Sequence, residues 1–279
     1  MTHSLVSRHL STFKALSFAV WAVLFGPLQG FASLLDAGVD LGVAGPDPQW
    51  GIFTLGNGAG PNQIGGTSLI FGHVGIGGLD DFEVRGYSTI EGDVLLRKKS
   101  DLALSGNAHI IGNVAFAPAN VALLKQGLVD AKGASEAAFQ LTKTQGFPTT
   151  IDTNQSLTLT GSGVVVLKLS DFRLRGNAAL TLEGDSNTTF VIDVKNEFGM
   201  GGNSRVTLSG GLTWNNVLFN LGGEGDAFLA KNAQLDGIIL ARKRTVEVKG
   251  SAQVRGEIVA GRVVLSGASV VGRIPVVSP

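Results

Sequence analysis

The sequence predicts an all-β protein: a right-handed β-helix, or solenoid, of roughly triangular section with one flanking α-helix. Three observations carry this. Glycine-anchored apolar segments recur at near-constant spacing, a second motif of the form apolar-x-apolar-x-Gly recurs between them, and one Ala-rich stretch breaks the pattern with helical periodicity.

Aligned on their glycine, the first segments are SLIFGHV (68–74), STIEGDV (88–94), AHIIGNV (108–114), AQLDGII (233–239), AQVRGEI (252–258) and ASVVGRI (268–274). Gly72, Gly92 and Gly112 are spaced by 20, and Gly237, Gly256 and Gly272 by 19 and then 16. A repeat of this length marks stacked coils that are stable only against their neighbours. Two residues before the glycine stand Ile70, Ile90, Ile110, Leu235, Val254 and Val270; four before it stand Ser68, Ser88, Ala108, Ala233, Ala252 and Ala268. A period of two places these on one strand face, which is the core. The alignment therefore stacks Ala252 over Ala268, Val254 over Val270 and Ile258 over Ile274.

The second motif includes FEVRG (82–86), LALSG (102–106), LTLTG (157–161), FRLRG (172–176), LTLEG (180–184), VTLSG (206–210), VEVKG (246–250) and VVLSG (263–267). Two short strands and a third stretch, joined by Gly-rich corners, fill about 20 residues per coil at a strand rise of ~3.3 Å. The strands TFVIDV (189–194) and NNVLFNLGG (215–223) occupy the middle coils. The interruption, residues 117–146, has Val121, Leu124, Leu128, Ala131 and Ala138 at helical spacing. It predicts one helix over about 120–143, with Pro118 in a first turn that tolerates it and Gly146-Phe147-Pro148 as the stop.

The 279 residues include no Cys and carry a formal charge of +0. Residues 1–32 have the form of a secretory signal: Arg8, His9 and Lys14 precede the apolar run at 15–26, which is shorter than the ~20 residues a spanning helix needs. Removing them takes Arg8 and Lys14 from the 22 basic side chains, leaving 20 against 22 acids. Such a balance excludes a nucleic-acid footprint. The expected organisation is a signal peptide at 1–32, a capping segment at 33–66, a solenoid at 67–275 and a tail at 276–279, with secretion to the extracellular space or cell surface and no membrane span in the mature chain.

The order of Gly-spaced rungs, Ala-rich helix, TFVIDV, NNVLFNLGG, AQLDGIILA and VRGEIVAGRVVLSGASVVGRI is similar to the secreted ice-binding-like β-solenoid family. It also resembles adhesive β-solenoid domains of bacterial surface proteins, the choice-of-anchor A type. The resemblance spans about 50–274 and implies an irregular β-helix capped at one end, with a helix alongside and no enzymatic activity.

Outward positions of the second motif supply the ligand candidates Thr158, Thr160, Thr181, Thr207 and Ser209, a small patch suited to a weakly hydrated surface. The same columns also carry Glu83, Arg85, Arg173, Arg175, Glu183, Glu247 and Lys249, and Thr is in any case a good strand residue. His73, Asp93 and Asn113 share one column, as an acid–base pair would require, yet no nucleophile accompanies them and an ordinary polar ladder explains them. Glu91 and Asp93 resemble the acid pairs of solenoid polysaccharide enzymes, but the next rung offers Ile111 and Asn113. GNGAGPNQIGG (56–66) lacks the Lys of a phosphate loop, and GGEGD (222–226) is one unrepeated half of a calcium motif. RKKS (97–100) and ARKRT (241–245) read as solvated corners. No catalytic residue, metal ligand or cofactor is assigned. The expected role is adhesion or structural attachment to an extracellular surface, polysaccharide or matrix protein, with ice binding as the alternative and a carbohydrate-active enzyme as the second.

Overall fold

The computed structural model describes residues 50–274 apart from 58, 99–100, 117 and 149; the expected signal peptide, residues 33–49 and the tail at 275–279 lie outside the described residues. Within them, 23 strands, β1 to β23 in chain order, join in one continuous sheet. The alternating apolar residues of the sequence become three inward ladders, one per wall of a triangular prism. On the open wall the register partners run Leu157, Leu180, Val206, Leu235, Val254, Val271, Ile70, Ile90 and Ile110. On the second wall they are Leu167, Ile192, Phe219, Ile239, Ile258, Ile52, Val74, Val94 and Val114. The third wall stacks Ile151, Leu174, Met200, Leu229, Val248, Leu265, Ile64, Val84 and Leu104. All three ladders meet in one core, which is what makes single coils unable to fold alone.

Coil order is not chain order. The stack starts at residue 150, rises to β22 (Gln253–Leu265) and β23 (Val270–Gly272), and is then continued by the N-terminal part of the chain. β23 pairs in parallel with β3 (Leu69–Phe71), while β22 pairs with β1 (Trp50–Thr54) and β2 (Asn62–Ile64). One coil is thus composite, its open wall from β23 and its other two walls from β1 and β2. This corrects the expected cap over 33–66 in its described part: Ile52 and Ile64 extend inward ladders, so their strands lie in mid-stack.

The last rung also departs from the glycine alignment by one residue. Val254 pairs with Val271 and Arg255 with Gly272, whereas Ile258 pairs with Ile52. Ser269, not Ala268, is the buried partner of Ala252. Both Val270 and Val271 could fill the core, so the preceding turn decides: Ala268 N–H donates to Gly250 O at 2.6 Å, and Ser269 Oγ donates to Val248 O and Ser266 O at 2.8 and 2.7 Å.

Corners between the third and open walls use a left-handed residue in coil after coil. Gly202 shows why it is glycine: its φ is +80°, and a Cβ there would stand 2.4 Å from the carbonyl oxygen of Gly176 in the coil below. The second wall is covered by helix α1 (Pro118–Gln140), which starts with Pro118 in its first turn and ends three residues before the expected 143. It stops because Thr144 is taken by strand β13 (Val164–Leu169): Thr144 N–H donates to Val166 O at 3.0 Å, and Val166 N–H returns a bond to Thr144 Oγ1 at 2.8 Å. Leu124, Ala131, Ala134 and Ala138 pack on Phe53, Val166, Val191, Leu218, Ile238, Leu240 and Val259. Strands buried on both sides lose their alternation, hence the unbroken TFVIDV and NNVLFN. A buried polar pin fixes the contact: Ser135 Oγ donates to Asn220 Oδ1 at 2.8 Å, and Asn220 Nδ2 donates to Asp193 Oδ1 at 2.8 Å.

The two ends of the stack differ. At the 150–169 end Phe147 stacks on Phe172, ring centroids 6.2 Å apart, and closes the core. At the other end Leu104, Val114 and Phe116 are 51%, 37% and 44% exposed.

Two glycine substitutions separate the corner constraint from helix propensity. Gly202→Ala is expected to lower the unfolding free energy by about 2 kcal/mol, because positive φ and the carbonyl contact both oppose it. Gly133→Ala, where a Cβ on exposed helix meets nothing within 4 Å, should raise it by roughly 0.5–1 kcal/mol. Urea melts of the two variants beside the parent check both signs.

Candidate functional site

The three walls present different chemistry to solvent. The second is covered by α1. The third is patterned with ion pairs, Arg173 with Glu197, Lys249 with Glu247 and Arg85 with Glu83, each drawing its own hydration. The open wall begins with β12 (Ser156–Thr160), β15 (Ala179–Glu183) and β18 (Arg205–Ser209), paired in parallel and in register.

That register brings all five sequence candidates onto one wall. Thr158, Thr181 and Thr207 are direct partners in one row, with Thr181 Oγ1 and Thr207 Oγ1 3.3 Å apart. Thr160 and Ser209 flank Glu183 in the row beside it, and Thr160 Oγ1 donates to Glu183 Oε2 at 3.0 Å. The array ends one coil later, where the row position passes to Asp236 and Arg255, an ion pair at 3.3 Å. On the side of the corner the next row holds two small residues that sequence reasoning passed over, the exposed Ser156 and the largely buried Ala179, and ends in the exposed Arg205. The signal of the two small residues was available as the residues just before LTLTG and LTLEG.

The corner itself holds four asparagines, Asn154, Asn177, Asn203 and Asn232, bonded amide to amide from coil to coil. The recurring TNQ, GNA, GNS and KNA at these turns are the trace of this ladder in the sequence.

The other candidates fall to structural roles. His73 Nδ1 accepts from the backbone N–H of Asp93 at 2.9 Å, and Asp93 Oδ1 accepts from the N–H of Asn113 at 2.7 Å, so the column ties successive coils together. Glu91 is exposed on the open wall with Ile111 as the following outward residue. Of residues 56–66, 62–64 are strand β2 itself, and the described residues before it form the corner leading from β1. Near GGEGD a polar cleft of about 480 Å³ is lined by Asn57, Glu224, Asp226, Arg242, Lys243 and Thr245. Among the described residues no three His, Cys, Asp or Glu gather as a metal site. The run 241–245 is not wholly a solvated corner: Arg244 is buried and donates to the carbonyls of Gly222 and Lys195, the latter at 3.0 Å. Of RKKS, residues 99–100 lie outside the described residues.

The model of the ice-binding-like family matches residues 58–271. The chain belongs to this family. Solved structures agree on the fold. A crystal structure of an ice-binding protein from the Antarctic ascomycete Antarctomyces psychrotrophicus aligns at a TM-score of 0.52 and 21% identity, covering 85% of this chain and 99% of that one. A glycosylated ice-binding protein from an Arctic yeast aligns at 0.57 and 16%, covering 83% and 94%. The DUF3494 domain of an ice-binding protein from Shewanella frigidimarina aligns at 0.55 and 18%, covering 80% and 93%. A search of curated protein sequences returns no match. No helix among the described residues is long and apolar enough to cross a membrane.

In this ice-binding-like fold the connection between β18 and β19 (Val217–Leu221) folds over the corner between the open and second walls. There Trp214 lies under the guanidinium of Arg273, 5.1 Å from the ring centroid. A cleft of about 340 Å³ remains between Leu208, Leu212, Trp214, Asp236, Arg255 and Arg273. Asp236, at the end of the threonine row, has its carboxyl held above the usual range by burial, opposed by Arg255. Glu257, in β22 beside Ile238, is fully buried with Oε1 lacking a hydrogen-bond partner. Burial pushes its carboxyl up to about 8, with Arg273 acting in the opposite direction.

A raised carboxyl means that the folded state keeps its proton while the unfolded chain loses it. Stability contributed by neutral Glu257 is therefore complete below about pH 4.5, declines as pH rises, and levels off above about 8. Glu257→Gln should flatten that part of the stability profile, measured by denaturant melts from pH 5 to 9, and should be more stable than the parent at pH 9.

Proposed function

We propose that the protein binds ice through the open wall, acting outside the cell as a secreted, non-enzymatic protein. The observation that carries this is the threonine row: Thr158, Thr181 and Thr207 stand in register on three adjacent coils, with two of their hydroxyls 3.3 Å apart. A parallel sheet repeats such groups at ~4.8 Å, and β-branched side chains are stiff at χ1, so the surface is ordered before any ligand arrives. Small neutral groups hold water weakly and can be matched to a lattice. A charged group holds its own shell, so Asp236 and Arg255 end the row, and Glu183 and Arg205, two residues to either side of it, limit the patch to a narrow strip. The family and the structural neighbours, described as ice-binding proteins, support this reading over adhesion to a polysaccharide, matrix protein or cell surface. A carbohydrate-active site would need acids gathered on neighbouring coils, and the rung after Glu91 and Asp93 supplies Ile111 and Asn113.

Thermal hysteresis and recrystallisation assays on the mature protein test the reading; no activity in the parent protein would overturn it. Thr181→Tyr, at the centre of the row, should cost about fivefold or more in activity, as central contacts do. Gln63→Tyr, on the third wall, should leave activity unchanged.

A further inference from the structure

The corner between the third and open walls carries a second ordered row. Asn154, Asn177, Asn203 and Asn232 each stand two residues before register partners Ser156, Ala179, Arg205 and Gln234. Asn177 Nδ2 donates to Asn154 Oδ1 at 2.8 Å, Asn203 Nδ2 to Asn177 Oδ1 at 2.9 Å, and Asn232 Nδ2 to Asn203 Oδ1 at 2.9 Å. All four side chains are on exposed residues. Each inner amide spends one N–H and one lone pair on its neighbours and retains one of each for water.

The turn does not need asparagine to fold. The following coils place Ser251, Ala268, Thr67 and Tyr87 at the same position and keep the same backbone bond to the coil before, at 2.7, 2.6, 2.7 and 2.8 Å. The bonded asparagines are therefore an addition to the fold, and the amide ladder lies at the end of the stack where the threonines are, while the asparagine of the last coil, Asn107, stands at the same turn outside it. The ladder reaches Asn232 and breaks at Ser251; the threonine row reaches Thr207 and breaks at Asp236. Two rows of different chemistry, four asparagines and three threonines, overlap over three coils, end within one coil of each other and border the same file of Ser156, Ala179 and Arg205, and so mark one surface.

We infer that Asn177 and Asn203, with Asn154 and Asn232 as end rungs, are water-ordering ligands of the same site, so that the contact surface wraps the corner as two rows. This rests on the ice-binding reading above. The amides are held by one another, so little side-chain entropy is lost on contact, and they are neutral, so no tightly held shell must be stripped.

The test replaces both inner rungs by the residue the next coil uses, Asn177→Ser with Asn203→Ser, which the turn accepts. Asn107→Ser, at the same turn in the last coil and outside the ladder, is the matched control, and Ser251→Asn adds a fifth rung. Thermal hysteresis at equal concentration is measured beside Tm. The double variant should lose activity about fivefold with Tm close to the parent, as loss of central contacts predicts; Asn107→Ser should match the parent and Ser251→Asn should exceed it. Parental activity in the double variant, while Thr181→Tyr is inactive, would overturn the two-row site and leave the ice reading standing. An inactive parent protein would remove the ice reading itself.

Discussion

The structure depends on in-register stacking of parallel strands. Each coil offers its neighbour a full set of backbone donors and acceptors on three walls and the same inward side chain at the same height. Neither set is useful alone: a single coil would leave its backbone edges unpaired and its Leu, Ile and Val in water. Once stacking is the source of stability, the rest follows. Corners must repeat without widening, which brings in glycine at Gly202 and its successors. Inward positions may vary only among side chains of similar bulk, so larger residues such as Phe172, Phe198 and Phe219 cluster together, with centroids 5.4 to 5.7 Å apart. Outward positions are released from the constraint and can carry function.

That division explains what could be read from the sequence. Ile70, Ile90 and Ile110 announced their ladder because the core repeats at each coil. The helix was visible from its own periodicity, but its seat was recorded only indirectly, in the absence of alternation in TFVIDV and NNVLFN. Asn220 and Asp193 in those apolar strands were the clue to the polar pin under Ser135. The register of 268–274 was misread because two adjacent valines satisfy the same core demand, and the choice between them is made by the turn before them. The joining of β22 and β23 to β1, β2 and β3 left no trace in local pattern, since a ladder looks the same whichever coil comes next.

The candidate site was legible in part. Its threonines were identified as outward strand residues, yet sequence alone could not show that Thr158, Thr181 and Thr207 share one row while Glu83, Arg85 and Arg173 belong to another wall. Topology moves those three charges off the threonine wall, while Glu183 and Arg205 remain on it beside the row. It also moves the boundary of the patch to the ion pair of Asp236 with Arg255, whose partners are 19 residues apart in the chain and adjacent in the stack.

The composite coil has a consequence for how the molecule is assembled. Among the described strands β1, β2 and β3 are made first by the ribosome, and their partners on one side, β22 for β1 and β2 and β23 for β3, are made last. The N-terminal coils cannot be added to a finished stack until nearly the whole chain exists, and contacts of this sequence separation are slow to form. Until then each part of the stack exposes a strand edge shaped to receive the other, or the equivalent edge of a neighbouring chain. Speed of closure, rather than depth of the final minimum, is thus the quantity on which correct assembly of this solenoid turns.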